Sequence, residues 1–414
     1  MKKFLAVFLA IVMVAGLFAL TACSDKGNTD PSGTSGSADK PAASDYKIAM
    51  ITDYGDITDQ SFNQTTYEAC KAFAEDNSIE FSYFKPAGDN TADRVAMIEK
   101  AVNDGFNVIV MPGYAFGGAI VEAAPEFPDV KFIALDVAAG DLLETAVAKA
   151  GEAYDYTPEN WDLNKYVDMS NVYCAVYQEE LCGYMAGYAA VKLGYKNLGF
   201  LGGMSVPAVV RYGYGFVQGV DAAAADLGLT DVKLNYIYGG QFFGDADITA
   251  VMDTWYQGGT QVVFACGGGI YTSAVDAAKK ANAKVIGVDV DQAGVIAKYA
   301  GVDGMTVTSA MKGLYPATYD TLTDVIVNGN WDKYVGKIET LGLVSGTDPE
   351  ANYVQIPMGD GTQWSDSFTQ DDYKAMVKDM FDGKITVSNN TSSDVSAADF
   401  ATVITVDDQG SIKG

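Results

Sequence analysis

The stretch Ile51–Gln64, ITDYGDITDQSFNQ, decides how the rest of the chain is interpreted. It starts at the end of an apolar run, Lys47–Ile51, crosses a polar loop and enters a pattern typical of a helix at its SFNQ end. A carboxylate (Asp53), an aromatic ring (Phe62) and an amide (Asn63) therefore lie near the carboxyl end of the first predicted strand. In open α/β sheets, ligands bind at this end of the strands. The stretch thus predicts an α/β fold with a ligand site beside its first strand.

Short apolar runs alternate with helical stripes along most of the chain, which predicts βαβ units and mostly parallel sheets flanked by helices. Ten strands are too many for one such sheet, so we expect two lobes, each with its own sheet, and a ligand cleft between them. The predicted strands are Ile48–Thr52, Glu80–Phe84, Asn107–Met111, Lys131–Leu135, Val172–Val176, Asn197–Leu201, Lys233–Tyr238, Gln261–Ala265, Lys284–Val288 and Met305–Ser309.

The chain is predicted to pass from the first lobe to the second near Tyr177–Gly183, where a strand is followed by a helix rich in small residues. Two further short strands are expected within Glu339–Pro357, followed by an amphipathic helix over Thr369–Phe381. The predicted organisation is a leader over 1–22, a flexible tether over 23–44, a first lobe over 45–178 to which 294–322 returns, a second lobe over 179–293 together with 323–389, and a loose tail over 390–414.

The N-terminal residues have the pattern of a bacterial lipoprotein leader. Lys2 and Lys3 precede an uncharged apolar run, Phe4–Leu20, and Leu-Thr-Ala then stands directly before Cys23. The alternative is an uncleaved transmembrane anchor, for which the run is slightly short. We therefore expect cleavage before Cys23, a lipid on its sulfur, and a protein anchored on the extracytoplasmic face of the cell membrane. The polar residues after it are too poor in apolar side chains to fold and form a tether.

Composition excludes several classes of function. The net charge is −27, and removal of Lys2 and Lys3 with the leader, which has no acidic residue, makes it −29. Such a chain does not bind nucleic acid, which needs a basic surface. The sequence has no histidine, so catalysis by Ser-His-Asp or Cys-His groups and metal binding by histidine are excluded. Four cysteines besides Cys23 lie in apolar stretches and are expected to be buried, although a Cys174–Cys182 disulfide is an alternative.

The predicted strand ends deliver polar side chains but no nucleophile beside a base. Asp53, Asp136 and Asp289 follow or end strands, and Lys312 follows another. Carboxylates accept hydrogen bonds from hydroxyl or ring N–H groups, and lysine donates to oxygen. We expect Arg211 to pair with a surface acid rather than with a ligand. These polar residues at the strand ends predict a site that binds a polar small molecule. We expect the site to use no cofactor and to catalyse no reaction.

Aromatic residues add a flat element to this site. Phe62 and one of the adjacent residues Phe242 and Phe243 could face each other across the cleft and sandwich a planar ring. A sugar face also stacks on an aromatic ring, so the rings alone leave the ligand open.

The chain resembles the basic membrane protein family, the lipoprotein substrate-binding components of ATP-binding-cassette (ABC) importers, which include purine nucleoside receptors. The insert Gly140–Tyr166 has no clear counterpart in that family. The segments that carry the resemblance, in order, are SFNQ (61–64), GYAF (113–116), FPDVKFIALD (127–136), RYGYGFVQG (211–219), YGGQFFGDAD (238–247), VIGVDVDQ (285–292) and TSAMKG (308–313).

The resemblance implies a role for each site residue. Phe62 and either Phe242 or Phe243 would stack on the base, while Asp53 and Asn63 would read its polar edge. Asp289 and Lys312 would hold the ribose hydroxyls, with Asp136 as an additional contact.

The resemblance also implies the fold, a two-lobed periplasmic-binding-protein type I fold, and the function. The protein would be a monomeric receptor that captures a nucleoside between its lobes and delivers it to an ABC transporter permease. The alternatives are a binding protein for a sugar or an autoinducer-like ligand, and a surface lipoprotein with a regulatory or adhesive role.

Overall fold

The structure is a computed structural model that describes residues 42–413. The leader, the lipidation site Cys23 and nearly all of the tether lie outside the described residues. Within the described range the chain forms two β-sheets, and each sheet with its flanking helices is called a lobe below.

The first sheet has six strands, and every pairing within it is parallel. Because helices cover both faces, β3 (Val108–Pro112) is buried along its whole length and β4 (Lys131–Leu135) is buried at every residue but its first. In spatial order the strands are Ile338–Leu341 (β11), Val172–Tyr177 (β5), Lys131–Leu135 (β4), Val108–Pro112 (β3), Lys47–Ile51 (β1) and Glu80–Phe84 (β2).

The second sheet has seven strands and is parallel except for one short edge strand, β12 (Val354–Gln355), which pairs in the antiparallel direction. The other strands, in spatial order after β12, are Thr306–Lys312 (β10), Lys284–Asp289 (β9), Val262–Cys266 (β8), Asn197–Gly202 (β6), Lys233–Tyr238 (β7) and Thr405–Ser411 (β13). The α/β fold with two mostly parallel sheets is therefore confirmed.

Twelve α-helices connect the strands within the described range. They are Phe62–Asn77 (α1), Thr91–Asn103 (α2), Gly117–Ala123 (α3), Ala139–Lys149 (α4), Leu163–Tyr166 (α5), Glu179–Lys192 (α6), Pro207–Asp226 (α7), Ala246–Gln257 (α8), Tyr271–Ala281 (α9), Ala293–Ala300 (α10), Leu314–Leu322 (α11) and Gln370–Phe381 (α12). None of these described helices is both long enough and apolar enough to cross a membrane.

Helices α6 and α7 pack with almost no space between their backbones, because glycines occupy the contact. A Cβ atom on Gly183 would collide with the carbonyl oxygen of Tyr212, and one on Gly215 would collide with that of Glu180. The close packing sets the first turn of α6, which carries Glu179, against the first turns of α7, which supply Arg211 and Tyr212 to the cleft described below.

The division of the later chain between the lobes differs from the sequence expectation. Residues 294–322 were expected to return to the first lobe, but β10 pairs with β9 in the second sheet. Helix α11, which also lies within 294–322, packs on α1 of the first lobe as expected, whereas β11, expected in the second lobe, pairs with β5 in the first sheet. An apolar run predicts a strand, whereas the sheet that the strand joins depends on pairing partners far away in the chain.

The tail expected to be loose over 390–414 is instead paired with the second sheet through β13, which lies parallel to β7. The polar sequence of the tail does not predict this strand, because the tail is attached mainly through hydrogen bonds of its backbone groups. The Asp221 side chain accepts hydrogen bonds from the N–H groups of Thr402, Val403 and Ile404 at 2.8, 2.8 and 3.1 Å, and from the Thr402 hydroxyl at 2.6 Å.

The insert 140–166 is also folded. It contributes most of α4, all of α5 and a surface cluster of aromatic rings around Trp161. Cys174 and Cys182 are free and buried, as are Cys70 and Cys266, so the alternative of a disulfide is not realised.

Asp221→Ala should detach the tail from the second lobe. The loss of a buried carboxylate that accepts four hydrogen bonds is expected to lower the free energy of unfolding by about 2–3 kcal/mol. Urea unfolding measures this change, and limited proteolysis should cleave first within 389–413. The exposed Asp303→Ala variant is the control, and equal stability of both variants would contradict the anchoring role.

Candidate functional site

A cavity of about 370 Å³ lies between the two sheets, at the carboxyl ends of their strands. This volume is in the range of small-molecule sites in proteins. All the cleft residues singled out from the sequence line this cavity, namely Asp53, Phe62, Asn63, Asp136, Phe242, Phe243, Asp289 and Lys312. The parallel strands of both sheets end at this cleft, which explains why residues up to 259 positions apart in sequence meet here.

The ammonium group of Lys312 is the centre of one end of the cavity. Its Nζ atom forms an ion pair with Asp136 and lies 3.4 Å from Glu179 Oε1 and 3.7 Å from Asp289 Oδ1. The same atom lies 4.7 Å from the centroid of the Phe62 ring. The side chain is 3% exposed, so the positive charge is held almost wholly by protein groups.

Glu179 was not recognised from the sequence, although it is central to this end of the site. It is fully buried at the start of α6, and its other oxygen accepts a hydrogen bond from Arg211 Nε at 2.7 Å. Arg211 does pair with an acid as expected, but that acid is buried rather than on the surface. Glu179 follows β5 by two residues, so the rule that strand ends carry site residues would have found it.

Burial and charge oppose each other in this cluster. Burial by itself lowers the pKa of Lys312, but the carboxylates of Asp136, Asp289 and Glu179 together raise it above its usual value, so Lys312 is a cation at neutral pH. Burial raises the pKa of Asp136 to about 6, and Lys312 offsets only part of this effect. Three carboxylates thus surround two cations, which leaves excess acceptor capacity for hydroxyl groups.

Two of these aspartates have an uncommon backbone conformation. Asp136 has φ of 58° and Asp289 has φ of 64°, in the left-handed region that residues other than glycine rarely adopt. Such strain persists where the surroundings fix it, and it concentrates at functional sites. Asp289 is held by the Ser61 hydroxyl at 2.6 Å and by the Tyr212 hydroxyl at 3.1 Å.

The other polar end of the cavity is built around Asp53 and Asn63, both buried. Asp53 Oδ1 accepts the N–H groups of Tyr54 and Gly55 at 2.6 and 2.8 Å. The Asn63 amide nitrogen donates to Asp59 at 3.2 Å, while Asn63 Oδ1 has no hydrogen-bond partner among residues 42–413. Burial raises the pKa of Asp53, and the two backbone hydrogen bonds oppose this rise. This end of the cavity therefore presents acceptor oxygens.

Aromatic side chains from both lobes also line the cavity. The Phe242 ring packs on the backbone of Gly203 and Gly267, and its centroid lies 6.3 Å from that of Tyr54 in the first lobe. Phe243 also borders the cavity but is 59% exposed. The sequence left open which of the two adjacent phenylalanines stacks on a ligand. The more buried position of Phe242 favours Phe242.

The lobes also touch each other directly beside the cavity. The Tyr54 hydroxyl lies 3.3 Å from the sulfur of Met204 and the Tyr114 hydroxyl lies 3.8 Å from it. Tyr54, Tyr212 and Met204 were not selected from the sequence. Tyr212 and Met204 carry no local signal that separates them from ordinary core or loop residues, since only the contact between lobes gives them a place in the site.

The fold and its interlobe cavity define a two-lobed solute-binding protein of the periplasmic type. A solute-binding protein of an ABC transporter system from Aeropyrum pernix has the same architecture, with a TM-score of 0.59 and 19% identity over 82% of this chain and 87% of that chain.

The Bmp family, described as ABC transporter substrate-binding protein PnrA-like, matches residues 46–347. This range is more than half of the chain, and the chain belongs to this family. It is therefore a substrate-binding protein of an ABC transporter and not an enzyme.

Two relatives extend the comparison. The ABC transporter nucleoside-binding protein BmpA of Lactococcus lactis subsp. cremoris is 26% identical over 400 residues, which cover 93% of this chain and 99% of that protein. An uncharacterized lipoprotein of Pyrococcus abyssi is 26% identical over 322 residues, which cover 74% of this chain and 69% of that protein. The naming of relatives as lipoproteins agrees with a membrane-anchored surface protein.

Asp141, at the N-terminus of α4, makes the stability of the unliganded protein depend on pH. Burial raises its pKa to about 7, while one oxygen accepts the N–H group of Ala138 at 2.7 Å. A carboxyl whose pKa is higher in the folded than in the unfolded protein binds a proton on folding. Its contribution to stability is complete below its unfolded pKa of about 3.9 and is lost as the pH rises through about 7.

Asp141→Asn keeps an acceptor oxygen for Ala138 and removes the buried charge. We therefore expect Asp141→Asn to raise the Tm more at pH 8 than at pH 5, each time compared with the unmodified protein at the same pH. Thermal melts at both pH values, with Asp303→Asn as the exposed control, measure the difference. An Asp141→Asn effect that is independent of pH would contradict the assignment.

Proposed function

We propose that this protein binds a purine nucleoside between its lobes and delivers it to the permease of an ABC importer. The observation that carries the proposal is the layout of a single cavity. Its lining combines aromatic rings from both lobes, acceptor oxygens of Asp53 and Asn63, and a charged cluster around Lys312. A nucleoside has the matching parts, namely a flat base with a polar edge and a sugar with hydroxyl groups.

The base would stack between Phe62 and Phe242. Stacking of a base on an aromatic side chain contributes roughly 1–3 kcal/mol. Asp53 and the unpaired Oδ1 of Asn63 would accept hydrogen bonds from the base edge. Because both groups are acceptors, a ring N–H group on the ligand suits them better than a bare ring nitrogen.

The sugar would lie at the Lys312 end. Asp289 and Asp136 would accept hydrogen bonds from the ribose hydroxyls, and Lys312 would donate one. Asp136 Oδ1 is buried and has no hydrogen-bond partner among the described residues, which is the condition expected for an acceptor that completes its bonding with a ligand. The name of the Lactococcus lactis relative, a nucleoside-binding protein, supports the same class of ligand.

The remaining parts of the proposal concern the whole protein in its envelope. Cys23 would carry the lipid anchor, residues 23–44 would form the tether, and the folded part would act as a monomer. Closure of the lobes on the ligand would create the surface that the permease recognises. The contacts between Tyr54 and Met204 show that the lobes meet beside the cavity.

Nucleosides should stabilise the full chain in a thermal melt, and free sugars should not. A ligand that binds only the folded form at a thousand times its Kd adds about 4 kcal/mol to the free energy of unfolding. Inosine and guanosine, which carry a ring N–H group at the base edge, should give larger shifts than adenosine. Shifts with sugars alone would exclude the nucleoside, and no shift with any ligand would favour a surface lipoprotein with a regulatory or adhesive role.

Phe242→Ala and Phe243→Ala form a matched pair that tests the stacking position. Loss of Phe242 should weaken nucleoside binding by about 1–3 kcal/mol, because a ring that faces the cleft is removed. Loss of the mostly exposed Phe243 should change the affinity little. Isothermal titration of both folded variants measures the effects, and the reverse order would move the stacking position to Phe243.

A further inference from the structure

The tail segment, Ser388–Lys413, runs along the second lobe and ends beside the cleft. It begins with a pair of hydrogen bonds between the Ser388 backbone and the Gln218 side chain, at 2.8 and 3.0 Å. It then passes Asp221 and forms β13 along β7. Beyond the strand, the N–H group of Ile412 donates to the carbonyl oxygen of Tyr238 at 2.8 Å. This course places Lys413 next to the residues that follow β7.

Those residues form the aromatic loop, Gly239–Asp245, which carries Phe242. Gly240 has φ of 78°, and a Cβ atom there would lie only 2.7 Å from Lys413 Cβ. The loop therefore turns directly over Lys413, at a position where the backbone conformation and the space both require glycine.

Lys413 also connects the two sides of this loop through its ammonium group. Nζ donates to Gln241 Oε1 at 2.9 Å and forms an ion pair with Asp245. Gln241 in turn donates to Asp245 Oδ2 and to the carbonyl oxygen of Phe243, both at 2.9 Å. Asp245 caps α8 by accepting the N–H group of Ile248 at 2.9 Å. The result is one network that fixes the loop on both sides of Phe242.

We infer that Lys413 is a positioning residue for the ligand site: it holds the aromatic loop so that the Phe242 ring is already in place before the ligand binds. The inference rests on the proposed function, because it takes Phe242 as the stacking ring. Without Lys413 the ring rests on Gly203 and Gly267, which have no side chains to hold it laterally. A ligand would then have to order the loop as it binds, and this entropy cost lowers affinity.

The test compares three variants of the full chain. Lys413→Met removes the ammonium group, and Lys413→Arg retains a cation that can reach Gln241 and Asp245. Lys384→Met is the matched control, since Lys384 also pairs with acids but follows the C-terminal end of α12, does not line the cavity, and has a side chain that is 61% exposed. Guanosine and inosine are the probes for titration, and amide hydrogen exchange of residues 240–245 is followed in the unliganded protein.

Lys413→Met should weaken binding by about threefold to tenfold, as expected for a partly exposed ion pair, mainly through faster dissociation. Exchange of the loop amides should become faster while exchange in the sheets stays unchanged. Lys413→Arg should keep both the nucleoside affinity and the loop exchange close to those of the unmodified protein. Lys384→Met should change neither quantity.

The outcomes separate this inference from the proposed function. If the unmodified protein binds neither nucleoside, the proposed function fails. Independently of nucleoside binding, unchanged loop exchange in Lys413→Met would overturn the inference that Lys413 holds the aromatic loop in place. If the nucleosides bind, an unchanged affinity in Lys413→Met overturns the positioning role even where the loop exchanges faster. A general rise in exchange that arginine does not reverse would show a merely structural role and also overturn it.

Discussion

The buried ammonium group of Lys312 is the interaction on which the rest of the site depends. An unpaired charge at 3% exposure would be strongly destabilising, so this lysine requires carboxylates around it. They come from three parts of the fold: Asp136 follows β4 in the first sheet, Asp289 ends β9 in the second, and Glu179 begins the helix that crosses between the lobes. One cation therefore ties together both lobes and their connection.

This arrangement also explains why the protein binds and does not catalyse. Lys312 and Arg211 offset most of the charge of the three carboxylates, and Arg211 pairs with the oxygen of Glu179 that Lys312 does not contact. What remains towards the cavity is hydrogen-bonding capacity at fixed positions, because Asp289 is held by the hydroxyl groups of Ser61 and Tyr212 and Asp136 is held by Lys312. Such a preformed set of acceptors selects a ligand by its donors and leaves no activated nucleophile to react with it.

The sequence was most informative where a side chain follows a strand directly. Asp53, Asp136, Asp289 and Lys312 were found this way, and all of them line the cavity. Glu179 obeys the same rule but was overlooked, since it lies in the first turn of a helix that is rich in small and apolar residues. Tyr212 and Met204 could not be found, because a tyrosine inside a helix stripe and a methionine in a loop have many equivalent counterparts elsewhere in the chain. The tail was misjudged because hydrogen bonds from backbone groups leave no trace in a polar sequence.

The sequence by itself determined the α/β class, the ten main strands and the end of the sheets at which the polar residues collect. These follow from periodicity and from the chain direction of parallel strands, which are local properties. Only the tertiary structure decided that β10 joins the second sheet and β11 the first, that Phe242 packs beside Tyr54 of the other lobe while Phe243 stays mostly exposed, and that the tail reaches the aromatic loop. Each of these features depends on contacts between segments that are distant in the chain. A local sequence pattern does not specify which distant segment will be the contact partner.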